Sequence, residues 1–503
     1  MGDEQGKRKE RREKRKEEER KEREVRSGRE VEWMVKAVKS VEESFKRPEI
    51  LNKALKIIQS FGNGGQISDN CLGRQFAKIG AGISNSERGR ILRNLLRSAA
   101  ENVNEQEEKC FVCNGIFERL DDFVQKALSK LREYEFNTFL VGTKVSGMLS
   151  ASEEMLWDIA GAEYAEPLKA ELNREVGKRI SRITGKIVDF KRPDVVILLN
   201  LWTDDVELQV NSLFIYGRYR KLVRGIPQTR WPCKKCWGKG CERCNYTGKM
   251  YAESVEELIR DAVLEDFKAE DMILHGAGRE DIDARMLGSG RPFVAEVKVP
   301  RRRNLDLSEV ERRINERCAG KVEVFCLRFV PADFVERVKQ ARAEKTYRAK
   351  VLVEGVFSEE ALRDAVQRIC GKIEQRTPRR VLHRRADLVR VREVKSVRLL
   401  SVRCEEAEAG AKEAEARAKE GEREKEQAEE RGEVSSVSKT ILEIELKCEG
   451  GLYVKELVSG DEGRTKPSLS EILGARAYVL ELDVMDVHLF FGDEECVREK
   501  MRE

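Results

Sequence analysis

The stretch His275-Gly-Ala-Gly-Arg279-Glu280-Asp281-Ile-Asp283-Ala-Arg285-Met-Leu-Gly-Ser-Gly-Arg291-Pro-Phe293 holds the densest chemistry in the chain. Its small residues let the backbone pass close to a neighbouring group. Between them lie three carboxylates and three arginines. A carboxylate held among arginines stays ionised and can act as base or nucleophile. A dinucleotide loop does not fit, because the G-x-G-x-x-G order and a following helix are both missing. The alternative is a salt-bridged turn before a strand. The pattern leaves both readings open, and it leaves both Asp281 and Asp283 open as the reactive group. Beyond this stretch, alternating apolar residues predict strands at Phe293 to Val299, Val322 to Phe329, Tyr347 to Val353 and Ile441 to Leu446. Helices are predicted at Ser254 to Phe267 and Ser358 to Ile369.

Upstream, residues 31–110 have helical spacing, from Met34, Val38, Val41 and Phe45 onward. A helix at Asp121 to Glu133 precedes strands at Phe136 to Val141, Asp194 to Leu201 and Val206 to Ile215. Such alternation means an α/β or α+β fold in more than one domain, as 503 residues require. The expected divisions are a charged tail or helix at 1–45, an accessory domain at 46–230, a cysteine knuckle at 231–250 and a large domain at 251–503. Residues 405–433 interrupt the last as a charged inserted arm. That arm carries 12 acids and 6 bases, so the chain's net charge of +5 is +11 outside it. A net positive body favours a polyanionic partner.

Cys233-x2-Cys236-x4-Cys241-x2-Cys244 places two hooks of two thiols four residues apart, with Gly238 and Gly240 in the turn. Four thiolates close a tetrahedral shell, so the spacing reads as structural zinc. A metal-free turn is the competing reading. Cys110-x2-Cys113, with Cys71, offers three ligands of a second site, but Ser68 stands where a fourth cysteine would complete it. The remaining six cysteines, Cys318, Cys326, Cys370, Cys404, Cys448 and Cys496, are expected to be unpaired core fillers. Without an apolar secretory segment, this cysteine usage argues against a disulfide scaffold and for a cytoplasmic location. No apolar run approaches the ~20 residues of a membrane span.

Two basic stretches remain. Arg218, Arg220, Lys221, Arg224 and Arg230 interleave with Tyr216, Tyr219 and Trp231, which suits RNA backbone contact with stacking; a solvated loop is the alternative. Arg379, Arg380, Arg384 and Arg385 flank His383 and are read as phosphate contacts.

The His275–Phe293 run resembles the active-site motif of the archaeal and eukaryotic tRNA pseudouridine synthases that carry an N-terminal THUMP domain. Four further stretches resemble the same family in the right order: Tyr216 to Cys233, Lys345-Thr-Tyr347-Arg-Ala, Arg376 to Asp387, and Gly450 to Ser468. The likeness spans roughly residues 65 to 491. It implies a THUMP-like RNA-binding module braced by the zinc knuckle, and a mixed-sheet catalytic domain. It implies tRNA as partner and isomerisation of uridine to pseudouridine in the TΨC loop, at position 54, 55 or both. No organic cofactor or small-molecule cosubstrate is implied. Asp281 matches the catalytic aspartate and Lys455 the basic active-site position. Tyr347 and Tyr453 match substrate-contacting tyrosines, Leu457 is a pocket wall or core residue, and Arg279 joins the substrate-binding set. The family has a C-x2-C where this chain has Ser68-Asp-Asn-Cys71, and the two charged arms are outside its pattern. Two other classes compete. A THUMP-type methyl- or thio-transferase would need a cofactor loop that the chain does not offer. A non-catalytic zinc-stabilised RNA-binding protein would need no reactive aspartate.

Overall fold

In the computed structural model the described residues are 36–99, 102–383, 385–405 and 438–502. The basic N-terminal run, Met34, Arg384 and all of the 405–433 arm beyond Glu405 lie outside them. Among the described residues no helix is long and apolar enough to cross a membrane.

Contacts divide the chain into two units, the first ending at Asn211 and the second starting at Ser212. The first holds a four-stranded sheet of β1 (Thr138–Lys144), β2 (Ile187–Val188), β3 (Val195–Asn200) and β4 (Asp205–Val210), in the order β2-β1-β3-β4. β1 runs parallel to both β2 and β3, and β4 closes the sheet antiparallel to β3. Val195, Ile197 and Leu199 are buried in a core shared with Phe139 and with Leu172, Val176 and Ile180 of the helix Leu168–Thr184.

A short helix and a longer one in this unit meet at a pair of glycines. A Cβ on Gly73, in the helix Asp69–Arg74, would lie 1.8 Å from the Asn85 carbonyl oxygen. One on Gly89, in the helix Asn85–Ala99, would lie 1.9 Å from the Asp69 oxygen. No side chain fits at either point, and the contact fixes the helix that carries Cys71.

The second unit is built on a ten-stranded mixed sheet. Its strands are β5 (Leu213–Lys221), β6 (Asp271–Gly276), β7 (Ala284–Lys298), β8 (Val322–Phe329), β9 (Glu344–Glu354), β10 (Gly371–Arg376), β11 (Val389–Glu405), β12 (Lys439–Cys448), β13 (Thr465–Lys466) and β14 (Ala477–His488). The order is β13-β10-β11-β12-β9-β14-β7-β5-β8, with β6 beside β7. The β14–β7 pair is parallel and the others antiparallel. The charged arm leaves β11 at Glu405 and returns in β12 at Lys439, two residues paired across the ladder. Ser254 and Ser358 each cap a predicted helix, accepting the backbone N–H of Glu257 and Ala361 at 3.2 Å.

Three expectations change. The run Val206 to Ile215 is two strands in two units. Asn211 breaks it by turning back, its side-chain amide donating to the Pro193 carbonyl at 2.7 Å and its N–H to Asp194 at 2.9 Å. The domain boundary expected at 230 therefore falls at 211, and the knuckle is an insertion within the second unit, tied to the helix Val255–Phe267 through Lys249 and Glu257 at 2.5 Å. Cys326 and Cys496 are not free: they form a disulfide across 170 residues, with their Cα atoms 6.0 Å apart. The fold brings β8 against the C-terminal helix Glu494–Lys500, a proximity that sequence separation hides.

Gly89→Ala should lower the unfolding free energy by about 1–3 kcal/mol, as overpacking does, measured by urea unfolding. An unchanged midpoint would contradict the close crossing.

Candidate active site and cysteine clusters

The loop Ala277–Asp283 joins β6 to β7. Arg291 and Glu280, both buried, pair beneath it at 2.8 Å. The same carboxylate accepts the Tyr219 hydroxyl at 2.9 Å, and Arg291 donates to the Ala277 carbonyl at 2.8 Å. Gln228 completes the network, donating to the Tyr219 hydroxyl at 2.8 Å and to the Gly278 carbonyl at 3.0 Å. From the other side the Lys221 ammonium donates to the carbonyls of Ile226, Asp281 and Ile282 at 2.9 to 3.1 Å. The later glycines serve packing and not a phosphate. Gly288 lies where β7 meets β14, a Cβ there falling 1.7 Å from the Met485 oxygen, and Gly290 faces the Phe325 ring.

The loop opens on a cavity of about 640 Å³, whose lining includes Asp281, Tyr347, Tyr453, Lys455, Arg380 and Lys345. Asp281 lies between two cations. Arg380 approaches its carboxylate at 3.2 Å and Lys455 at 3.7 Å. Lys455 is closer to Asp283, at 2.5 Å. Burial would raise the Asp283 carboxyl, but this lysine holds it below the ordinary range. The two aspartates differ in exposure, 34% for the Asp281 side chain and 64% for Asp283. Arg380 is itself anchored by Glu456 at 2.6 Å.

Tyr453 caps the short helix Val454–Ser459 that carries Lys455. Gln375 clamps its backbone, accepting the Tyr453 N–H at 2.8 Å and donating to its carbonyl at 3.0 Å. Arg385 donates to the Tyr453 hydroxyl at 2.8 Å. Tyr347 lies on β9, and burial pushes its phenol well up, so it stays neutral. Arg279 is exposed, with its guanidinium 5.2 Å from the Trp231 ring.

Several site expectations are corrected here. Leu457 is buried in the core beside Val458 and Leu482 and does not line the cavity. The basic stretch from Arg218 is mostly internal. Arg218 is wholly buried against Asp493 at 2.6 Å, and Tyr216 and Tyr219 are buried beside it. Lys221 is buried beneath the loop. Arg220 pairs with Glu323 at 2.9 Å, and Arg224 with Asp483 at 2.6 Å while donating to the Asp283 carbonyl at 2.9 Å. These residues brace the site from β5 and the turn after it; Arg230 alone of the five is exposed. Arg380, read from sequence as a phosphate contact, turns inward to Asp281, and no local spacing signals a partner 99 residues away. Glu280, Arg291 and Lys345 lie in the quoted motifs without an assigned role, and Gln228 and Gln375 carry no local signal. The Glu280–Arg291 spacing within one charged loop was the available hint.

The knuckle thiols converge. Sγ separations are 3.9 Å for Cys233–Cys241, 3.8 Å for Cys236–Cys244 and 3.7 Å for Cys241–Cys244. Those spacings suit a tetrahedral ion at a metal–sulfur distance of ~2.3 Å, whose edges are ~3.8 Å. The N–H of Gly240 donates to the Cys236 sulfur, and those of Cys241 and Gly248 donate to the Cys244 sulfur, each at 3.2 Å. The set can hold a metal ion. Cys71, Cys110 and Cys113 form a second, buried cluster. Ser68 caps the helix that carries Cys71, and its hydroxyl lies 3.7 Å from the Cys113 sulfur, beside the cluster.

Residues 214–420 and 414–488 match the family model described as Pus10, C-terminal, and residues 123–200 match the Pus10 THUMP domain, archaeal. A tRNA pseudouridine synthase Pus10 of Methanothrix thermoacetophila is 45% identical over 87% of this chain and 94% of its own length. The enzyme of that name from Pyrococcus furiosus is 39% identical over 87% and 98%. The chain belongs to the Pus10 family of tRNA pseudouridine synthases. Like its family, it is an isomerase with a THUMP domain ahead of a mixed-sheet domain. Among solved structures, a Cbf5–Nop10–Gar1 complex aligns over 55% of this chain and 50% of that one at 14% identity and a TM-score of 0.28, too loose to argue from.

The Lys345 ammonium makes no hydrogen bond or ion pair among the described residues, and burial, reinforced by Arg291, lowers it to about 8. An unfolded lysine keeps its proton to about 10.4. Between these values the unfolded chain binds more protons, so stability rises with pH. Lys345→Met should remove that rise, read as the difference between urea midpoints at about pH 8 and about pH 10 for each protein.

Proposed function

We propose that Asp281 is the catalytic aspartate and that its substrate is the TΨC loop of tRNA, at uridine 54, 55 or both. The observation that carries this is the Asp281 carboxylate at the cavity, flanked by Arg380 and Lys455, on a loop held from beneath by buried bonds. Two cations at that range attract and orient the carboxylate, and a nucleophile or base must be held in place at the reacting atoms. Asp283 supports the choice by contrast, since its charge is engaged by Lys455 at the shorter distance.

The reaction breaks the bond from the ribose to uracil nitrogen and rejoins the base through carbon. Product and substrate are isomers, so nothing is consumed. A base inside a folded loop must first leave its stack. Tyr347 and Tyr453 offer faces to receive it, and the exposed Arg279 and Arg385 line the same cavity and suit phosphates.

Zinc is the ion we assign to Cys233, Cys236, Cys241 and Cys244. Four thiolates fill its coordination, so its role is structural. For Cys71, Cys110 and Cys113 the same metal would need the Ser68 hydroxyl or water as fourth ligand.

Carbodiimide-dependent primer-extension stops on an unmodified tRNA transcript test the reaction and its position. Asp281→Asn should give no stops while still binding tRNA. Asp283→Asn should keep its rate within about tenfold, or about 1.4 kcal/mol. Full activity in Asp281→Asn would refute the assignment. Metal analysis should find a zinc equivalent that Cys233→Ser with Cys236→Ser removes; an unchanged zinc content would refute the knuckle site.

A further inference from the structure

Two large aromatic side chains stand out from the cysteine knuckle, uncovered among the described residues. Trp237 is 82% exposed and Tyr246 73%. Both occupy left-handed backbone, at φ +53° and +59°, and Asn245 does so too at +48°. That conformation is unfavourable for residues with a side chain, and surrounding structure must enforce it. Here the sulfur-directed turns do so. A Cβ on Gly248 would fall 2.3 Å from the Gly238 oxygen, and one on Gly240 would fall 2.8 Å from the Tyr246 oxygen. The turns that carry the two rings are therefore pressed together on one lobe.

The lobe is also basic. Lys234, Lys235, Lys239 and Arg243 are exposed, and their side chains make no hydrogen bond or ion pair among the described residues. Glu242 is the one acid between 231 and 250. The cations of β5 are, by contrast, mostly paired internally. The lobe is continuous with the cavity. Trp231 lines the cavity and packs on Tyr251 at 5.7 Å, and the next residue, Pro232, pairs with Lys249 to close the neck of the knuckle.

Exposed rings on a rigid support beside unpaired cations match single-stranded nucleic acid, which offers a face for stacking and a phosphate at every nucleotide. We propose that the knuckle is an RNA-stacking platform. Trp237 and Tyr246 receive unpaired bases of the tRNA next to the nucleotide in the cavity, and Lys234, Lys235, Lys239 and Arg243 neutralise its phosphates. This rests on the tRNA reading above and adds a second contact surface to it.

The test uses the full chain with its metal and an unmodified tRNA transcript, with Kd read by fluorescence anisotropy. Trp237→Ala with Tyr246→Ala should weaken binding by about tenfold for each stack lost, and Trp237→Phe with Tyr246→Phe should restore it. Lys234→Glu with Lys239→Glu should flatten the slope of log Kd against log salt by roughly 0.7 per contact removed. Metal content equal to wild type shows that the knuckle is intact; if the alanine pair loses metal, the charge pair decides. A Kd within about twofold of wild type, or an unchanged salt slope in the charge pair, overturns the platform and leaves the lobe to a protein partner. Wild-type protein that forms pseudouridine while the variants bind normally refutes the platform alone. Wild-type protein that binds tRNA through these residues and forms none refutes the reaction alone.

Discussion

Glu280 and Arg291 are joined out of solvent, and the segment between them carries Asp281 and Asp283. A buried ion pair persists only when its remaining donors and acceptors are also met, and removal of one partner leaves an uncompensated charge. Here Tyr219 and the Ala277 carbonyl meet them, and Gln228 links that hydroxyl to the loop backbone. The carboxylate of Glu280 points inward, so the next residue, Asp281, is turned toward the cavity. Lys221 ties the carbonyls of Asp281 and Ile282 from the opposite side. The reactive carboxylate thus inherits its position from groups that never touch the cavity.

Above that base the electrostatics are shared. Lys455 serves two aspartates, and Arg380 serves Asp281 and Glu456. A cation with two partners is held in place by both, and it still gains from a change in charge at either. Lys345 adds a cation that burial has weakened and that no described group neutralises.

Much of the architecture was readable from local pattern. Val322 to Phe329 is a strand over the predicted residues, and the helices after Ser254 and Ser358 begin where a hydroxyl caps them. Both cysteine clusters follow from spacing, because their ligands are mostly close in sequence. What failed was long-range pairing. Arg218 among tyrosines reads as a polyanion contact until Asp493, 275 residues later, is known to neutralise it. Arg380 and the Cys326–Cys496 link were hidden for the same reason. Leu457 could be pocket or core by pattern, and only packing decides which. The break at Asn211 was hidden differently: the polar pair Asn211-Ser212 between two strand patterns is a weak signal, and the partner of Asn211 at Pro193 supplies the meaning.

The pairing of Glu405 with Lys439 means that the chain leaves and re-enters the large sheet at neighbouring points. Closing a longer loop across a fixed gap costs only logarithmically more entropy. The sheet is therefore nearly indifferent to how many residues lie between those strands. Insertions between these two strands leave the core packing untouched, so this connection can change in length and composition while the reactive centre is unchanged. It is also the natural place for an experimenter to graft a reporter.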